Sequence, residues 1–274
     1  MSDLVVEKVD AAKVRKYGAW YVAEYRLLNM RKWFGAILAF GLGNPILYLT
    51  SVGIGIGSLV DNNAGAAGVD GVRYMTFLAP ALLASAAIQG AMDEVTFPTL
   101  HGFVWEKVFF GMSATAISGK QVARGVLLAS LFRNIFTVLS YWMILFLFGA
   151  LDSPRAWLAI PAGVFAGAAV AHVMLAVSAY VTSDEGLFAV IGQFVIAPMF
   201  MFSGTFYPLD LMPIYLQWVG WISPLWHATE LGRYLTYDHP ISTPLLIVHI
   251  AYLAVILIIG TIIAERRYAW RLAQ

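Results

Sequence analysis

The hydrophobic residues of this chain fall in long blocks rather than in alternating stripes. Six apolar runs stand out, at residues 34–60, 74–92, 126–151, 158–182, 187–206 and 244–264. Each approaches the roughly 20 residues that a helix needs to cross a bilayer core. A membrane β-barrel would instead show short segments of alternating polarity, and none occurs. The pattern predicts an all-α polytopic membrane protein with six transmembrane helices.

Three segments between or before the runs are neither apolar spans nor hydrophilic loops. Residues 12–33, "AKVRKYGAWYVAEYRLLNMRKW", mix basic residues with Trp20, Tyr21, Tyr25, Leu28 and Trp33. They read as an amphipathic helix lying in the membrane interface, or as a plain basic anchor. Residues 93–125 are aromatic but too interrupted to span. Within them "FVWEKVFFGM" suits a short helix with Phe103, Val104, Val108 and Phe109 toward membrane or protein, and Glu106 and Lys107 toward water. So apolar a connector lies on headgroups or inserts into a partner's groove. The third segment, "MFSGTFYPLDLMPIYLQWVGWISPLWH", is cut by Pro208, Pro213 and Pro224. Leu211, Tyr215, Trp218, Val219 and Ile222 share one helical face. Broken backbone at membrane depth must be buried in protein or line a cavity. The expectation is a pair of short re-entrant helices between spans five and six, with an aromatic surface loop as the alternative.

Composition agrees: 60% of residues are hydrophobic and 12% charged, and mean hydropathy is +0.75. A net charge of +1 gives no nucleic-acid footprint. The absence of cysteine excludes disulfides and thiolate metal sites. The charged first thirty residues, and a first apolar run too long for an h-region, read as no cleavable signal peptide. Lysine and arginine set orientation. Lys8, Lys13, Arg15, Lys16, Arg26, Arg31 and Lys32 precede the first span; Lys107, Lys120 and Arg124 lie between the second and third; Arg266, Arg267 and Arg271 follow the sixth. The other connections hold single arginines, or only Asp184 and Glu185. Both termini are therefore expected in the cytoplasm. The chain divides into a cytoplasmic N-terminal segment (1–33), a six-span domain (34–264) and a cytoplasmic tail (265–274).

Catalytic signals are absent. "SATAISGKQ" has Gly119 and Lys120 of a phosphate-binding loop, but Ala114 and Gln121 replace its first glycine and its hydroxyl residue. Gly53, Gly55 and Gly57 have the wrong spacing for a dinucleotide fingerprint and read as close packing or a loosened helix end. His101, His172, His227, His239 and His249 are scattered, with no paired metal-ligand spacing, so no metal site is expected. Arg133, several residues inside the third run, either snorkels to headgroups or pairs with Glu94. His172 and Gln193 are packing residues or line a path. Gly163, Gly167 and Ala171 allow close helix approach, and Pro45 should kink the first span. Glu230, Arg233 and His227 read as a structural ion pair with helix capping. An ion-gradient carrier would want acidic residues at mid-membrane, and none falls at the centre of a run.

Taken in order, "NPILYLTSVGIGIG", "YMTFLAPALLASAAIQGAMDE", "WEKVFFGMSATAISGKQVARGVLLASLFR" and "SGTFYPLDLMPIYLQWVGWISPLWHATELGR" resemble the permease subunit of type-2 ABC exporters. They are most similar to the nodulation-factor, lipo-oligosaccharide and drug-resistance branch. The resemblance covers roughly residues 20 to 265. It implies a plasma-membrane permease, in a bacterium the inner membrane, that pairs with a second copy or a paralogue above two cytoplasmic ATPase subunits. Those subunits would bind ATP and Mg, so the chain itself would hold no cofactor and be no enzyme. It implies a coupling helix over His101, Phe103, Val104, Trp105, Glu106, Lys107 and Phe109, and intramembrane polar residues at Glu94, Arg133 and His172. It also implies an external re-entrant cap carrying Phe206, Pro208, Tyr215, Trp218 and Trp221. Ala116 stands where the family commonly has proline. The implied cargo is amphipathic: a glycolipid, lipo-oligosaccharide or hydrophobic drug. A gradient-driven carrier or membrane scaffold is the rival reading.

Overall fold

The computed structural model describes residues 11–64, 68–183 and 186–274; Lys8, Asp184 and Glu185 lie outside them. Among the described residues the secondary structure is helical, apart from an isolated antiparallel bridge between Val69 and Val72. In order come α1 (Ala11–Lys32), α2 (Phe34–Tyr48), a π-helical stretch Leu49–Ile56 and α3 (Gly57–Ala64). Next are α4 (Tyr74–Val95), α5 (Phe97–Leu100), a π turn His101–Trp105 and α6 (Val108–Ser113). Two long helices follow, α7 (Gly119–Leu147) and α8 (Ala159–Ser178). The remainder is α9 (Leu187–Ile191), a π turn Gly192–Ile196, α10 (Ala197–Phe202), α11 (Ile214–Trp221), α12 (Pro224–Thr236) and α13 (Thr243–Arg271).

Among the described residues, five helical stretches are long and apolar enough to cross a membrane: Phe34–Asn63, Tyr74–Trp105, Gly119–Leu147, Ala156–Ser178 and Thr243–Arg271. The run expected as a fifth span is shorter as a helix, Leu187–Phe202. It stops where Ser203 and Gly204 turn, Gly204 in the left-handed region at φ +71°. α13 runs through Arg271, so Arg266, Arg267 and Arg271 stand on its last turns. α1 is packed on the protein, with Val22 and Ala23 buried and Trp20, Leu28 and Trp33 exposed.

Local sequence explains where helices start. Ser118 and Gln121 form a capping box at the start of α7, each satisfying the other's backbone N–H. Ser223 caps α12, whose first residue is Pro224. Pro45 removes a helix donor, and the ladder four residues on widens into the π-helical stretch.

α4 is the centre of the bundle and is buried along most of its length, whereas the first and last spans are mostly exposed. Glycines let backbones meet there. A Cβ on Gly167 of α8 would lie 2.5 Å from the Ala87 carbonyl of α4, and one on Gly260 of α13 would lie 2.6 Å from the Val173 nitrogen of α8. A Cβ on Gly232 of α12 would lie 2.7 Å from Pro80 of α4, and one on Gly163 would press on Val138 of α7 at 3.4 Å. Buried polar groups bridge the same helices. Ser130 Oγ donates to the Ala91 carbonyl at 2.9 Å, and Asn134 Nδ2 donates to the Val164 carbonyl at 2.9 Å. By contrast α2 buries only Pro45, and Phe40 and Leu47 project outward. Such an apolar exterior is what lipid or a partner covers.

Candidate functional site

At the end of the bundle that carries α1 and the last turns of α13, the segment 97–113 makes a two-part corner. "FVWEKVFFGM" is not one helix. The π turn closes at Trp105, Lys107 takes a left-handed φ of +56°, and α6 starts anew at Val108. The reversal folds Phe109 back onto Phe103, ring centroids 5.0 Å apart. Gly102 makes room, since a Cβ there would sit 2.4 Å from the Phe109 ring.

Both rings then pack on Tyr268 of α13, Phe103 at 4.8 Å and Phe109 at 5.8 Å. Tyr268 is fully buried, and its hydroxyl donates to Thr99 Oγ1 at 3.2 Å. The Arg271 guanidinium lies 4.0 Å over the Phe103 ring and donates to the carbonyls of Ala179 and Val181 at 3.1 and 2.7 Å. Trp105 is half exposed at 50%, its ring edge-on to His101 at 5.4 Å, and His101 Nδ1 lies 3.4 Å from Glu106. The corner thus has an aromatic root held by α13 and a polar, tryptophan-bearing tip in the open.

Beside the root lies a buried charge cluster. Glu94 at the end of α4 accepts a short bond from Arg26 of α1, which also donates to the carbonyls of Glu94 at 3.0 Å and Pro98 at 3.4 Å. Arg133 of α7 is bonded to Asp93 at 2.9 Å and stands 3.8 Å from Glu94. Arg133 therefore pairs chiefly with Asp93, and Glu94 chiefly with Arg26. His172 Nδ1 donates to the Ala168 carbonyl one turn earlier at 2.6 Å, a packing arrangement within α8.

At the opposite end, residues 203–213 are tied back to the bundle. Arg233 donates to Glu230 at 2.8 Å and to the Gly204 carbonyl at 2.5 Å, and lies 4.0 Å over Phe77. Tyr74 donates to the Phe206 carbonyl at 3.2 Å, and Ser203 bonds Ser223 at 2.6 Å. His239 approaches both Asp70, at 2.7 Å, and Glu230, at 3.8 Å. His227 belongs to a different group. Its Nε2 meets the Trp221 carbonyl at 3.0 Å and its Nδ1 meets His249 Nδ1 at 2.7 Å. A carbonyl only accepts, so His227 carries its proton on Nε2, and its Nδ1 accepts a hydrogen bond from His249 Nδ1–H. Nearby, Arg155 holds the Asp238 carboxyl below its ordinary range, with Ser153 assisting at 3.0 Å. Leu211, Tyr215, Trp218 and Ile222 are exposed, but Val219 of the expected face is half-buried, and Leu211 lies outside α11, beyond the break at Met212 and Pro213.

An all-helical bundle with this order of segments is matched by the model of the ABC-2 type transporter family over residues 20–237. The chain belongs to that family. This ABC-2 permease is 26% identical over 244 residues to Nodulation protein J of Rhizobium leguminosarum bv. viciae, covering 87% of the chain and 92% of the relative. It is 26% identical over 237 residues to Nodulation protein J of Rhizobium meliloti (strain 1021), with 85% and 87% covered. It is 24% identical over 273 residues to that of Neorhizobium galegae, with 93% and 94% covered.

In the permease, His101, Phe103, Val104, Trp105, Glu106, Lys107 and Phe109 form one corner, but they divide between root and tip. Phe206, Pro208, Tyr215, Trp218 and Trp221 lie together at the other end, while His172 stands apart from Glu94 and Arg133. Sequence reasoning missed Arg26 as the partner of Glu94, Tyr268 and Arg271 as the seat of the corner, and the His227–His249 pair. Each joins segments far apart in the chain, and no local spacing signals them. Among the described residues, no group of three or more His, Asp or Glu is placed to hold a metal.

Proposed function

We propose that the chain is the permease of an exporter that moves an amphipathic or lipid-linked substrate outward, such as a glycolipid, lipo-oligosaccharide or hydrophobic drug. ATP hydrolysis would occur in a separate cytoplasmic ATPase present as two subunits, beneath two permease chains, identical or paralogous. The chain itself carries no catalytic step. The reading takes the membrane as a bacterial inner membrane with both termini in the cytoplasm. It counts six crossings, with helix Leu187–Phe202 and the turn after it making the fifth. Residues 1–33 and 265–274 flank the six-span domain.

The observation that carries this is the two-part corner. Its tip offers Trp105, Glu106, His101 and Lys107 to a partner, and its root is seated on α13 through Tyr268 and Arg271. A push on the tip is passed to a spanning helix. Glu94, Arg26 and Arg133 join α4, α1 and α7 just behind it, so the charge cluster keeps these helices in register during the push. The residues from Phe206 to Trp221 would cap the exit.

Two cavities run along α2 and share Asn44, Ala86, Gln89 and Tyr141. The one reaching Arg133 and Asp93 is about 420 Å³, and the more apolar one is about 340 Å³. Polar at one end and apolar at the other, they suit an amphipathic cargo. The test is co-reconstitution with the ATPase. Trp105→Asp is expected to leave the complex folded and ATP hydrolysis running while export stops. Transport that persists without any ATPase would overturn the reading.

A further inference from the structure

The sequence "SGKQ" at the start of α7 fails as a nucleotide loop, yet it forms one wall of a basic pocket. A cavity of about 420 Å³ opens between α1 and α7, lined by Arg15 and Lys16 on one side and Ser118, Lys120, Gln121 and Arg124 on the other. Four cations line it, and among the described residues no carboxylate does. The nearest paired anion is Glu265 of α13, which takes two hydrogen bonds from Arg124 at 2.7 and 3.0 Å and so fixes that guanidinium in place.

The pocket is held open by its own frame. Gln121 Nε2 donates to the carbonyls of Val14 and Arg15 at 3.2 and 2.8 Å, while its Oε1 accepts from the Ser118 backbone at 2.9 Å. α1 and the start of α7 are therefore pinned at a set separation. Just beyond, Tyr17 and Trp20 on α1 are exposed, and Trp20 packs edge-on against the exposed Phe132 of α7 at 6.1 Å. Tryptophan and tyrosine favour the headgroup level. A ligand with its phosphate among the four cations would therefore run its acyl chains past Trp20 and Phe132.

We infer that this pocket binds the phosphate of an anionic phospholipid headgroup. Basic clusters on a helix outside the spans, beside the end of a spanning helix, are suited to such headgroups. A free phosphate could use the cations but not the aromatic wall. The site does not depend on the direction of transport or on the nature of the cargo.

The test uses the full chain purified in detergent and moved into nanodiscs of phosphatidylcholine with or without phosphatidylglycerol, read by native mass spectrometry of retained lipid. Each basic residue near an anionic surface contributes enough that removing two lowers affinity about 30-fold. The double variant Arg15→Gln with Lys120→Gln is therefore expected to lose retained phosphatidylglycerol, with phosphatidylcholine retention and thermal unfolding unchanged. Lys120→Arg keeps the charge and is expected to keep the lipid. The control Arg31→Gln with Arg73→Gln, away from the pocket, is expected to retain it as well. Equal retention by the Arg15/Lys120 double variant and the control would overturn the inference. So would displacement of the lipid by millimolar inorganic phosphate alone. Loss of ATPase binding in the double variant with lipid retention intact would assign the pocket to an acidic protein segment instead.

Discussion

Phe103 and Tyr268 lie ring to ring, centroids 4.8 Å apart, so that the corner after α4 rests on the last turns of α13. Truncating a buried aromatic costs about 3–5 kcal/mol, through lost transfer energy and the cavity left behind. Tyr268→Ala is therefore expected to lower thermal stability in detergent and to expose residues 101–113 to rapid hydrogen exchange. Tyr268→Phe removes only the bond to Thr99, about 1 kcal/mol, and is expected to leave exchange there close to wild type. Equal exchange in the two variants would mean that the ring does not hold the corner.

Glu94 and Asp93 are neighbours in sequence with opposite surroundings. Removing one partner of a buried ion pair costs about 3–5 kcal/mol, because a charge is left uncompensated. Glu94→Ala strands Arg26 and is expected to fall in that range. Asp93→Ala affects a half-exposed pair and is expected to cost about 1 kcal/mol or less. Unfolding midpoints of the two variants in a single detergent give the comparison.

Close approach at Gly167 can be tested by size. Gly167→Val drives side-chain atoms into the Ala87 carbonyl and Asn134, and is expected to prevent accumulation of folded protein. Gly41 and Gly43 have nothing within 4 Å of a new Cβ. Replacing either with alanine is expected to be neutral or stabilising by about 0.5–1 kcal/mol, since glycine is a poor residue for a helix interior. Expression and size-exclusion profiles separate the cases.

The His227–His249 bond fixes two tautomers. Nitrogen-15 spectra of labelled protein are expected to show His227 protonated at Nε2 and His249 at Nδ1, with His172 also protonated at Nδ1. His227→Phe removes the acceptor and is expected to shift His249 alone. An unchanged His249 signal would mean that the two rings do not exchange a hydrogen bond.

Arg155 depresses the Asp238 carboxyl outside the spans. A carboxylate depressed on folding adds stability above its unfolded-state value, and this is lost as pH falls through the folded value. The stability gap between wild type and Asp238→Asn is therefore expected to be constant near neutrality. It should close in acid, below about pH 4. A gap that widened in acid would contradict the pairing.

Block lengths were enough to find every long span, because burial in lipid imposes length and polarity directly on the sequence. Residues 187–206 misled on length: Ser203 and Gly204 end the helix, although the apolar residues continue to Phe206. The corner at Glu106 and Lys107 was also hidden, since neither residue is a turn former and the reversal is stabilised by Phe103, Phe109 and Tyr268 meeting in space. Glu230 and Arg233 were legible because they stand three positions apart on one helix. Arg26 and Glu94 were not, because only the docking of α1 brings them together.

The close contacts at Gly167, Gly260 and Gly232 join α4, α8, α12 and α13 with no long side chains between them to yield. Close packing of this kind favours the four helices translating or tilting together, like a piston cut from one piece. α13 alone is roughly 43 Å long at 1.5 Å per residue over its 29 residues. Under the proposed coupling, a stroke delivered at Trp105 would reach the far end as displacement of a solid body instead of being spent in bending.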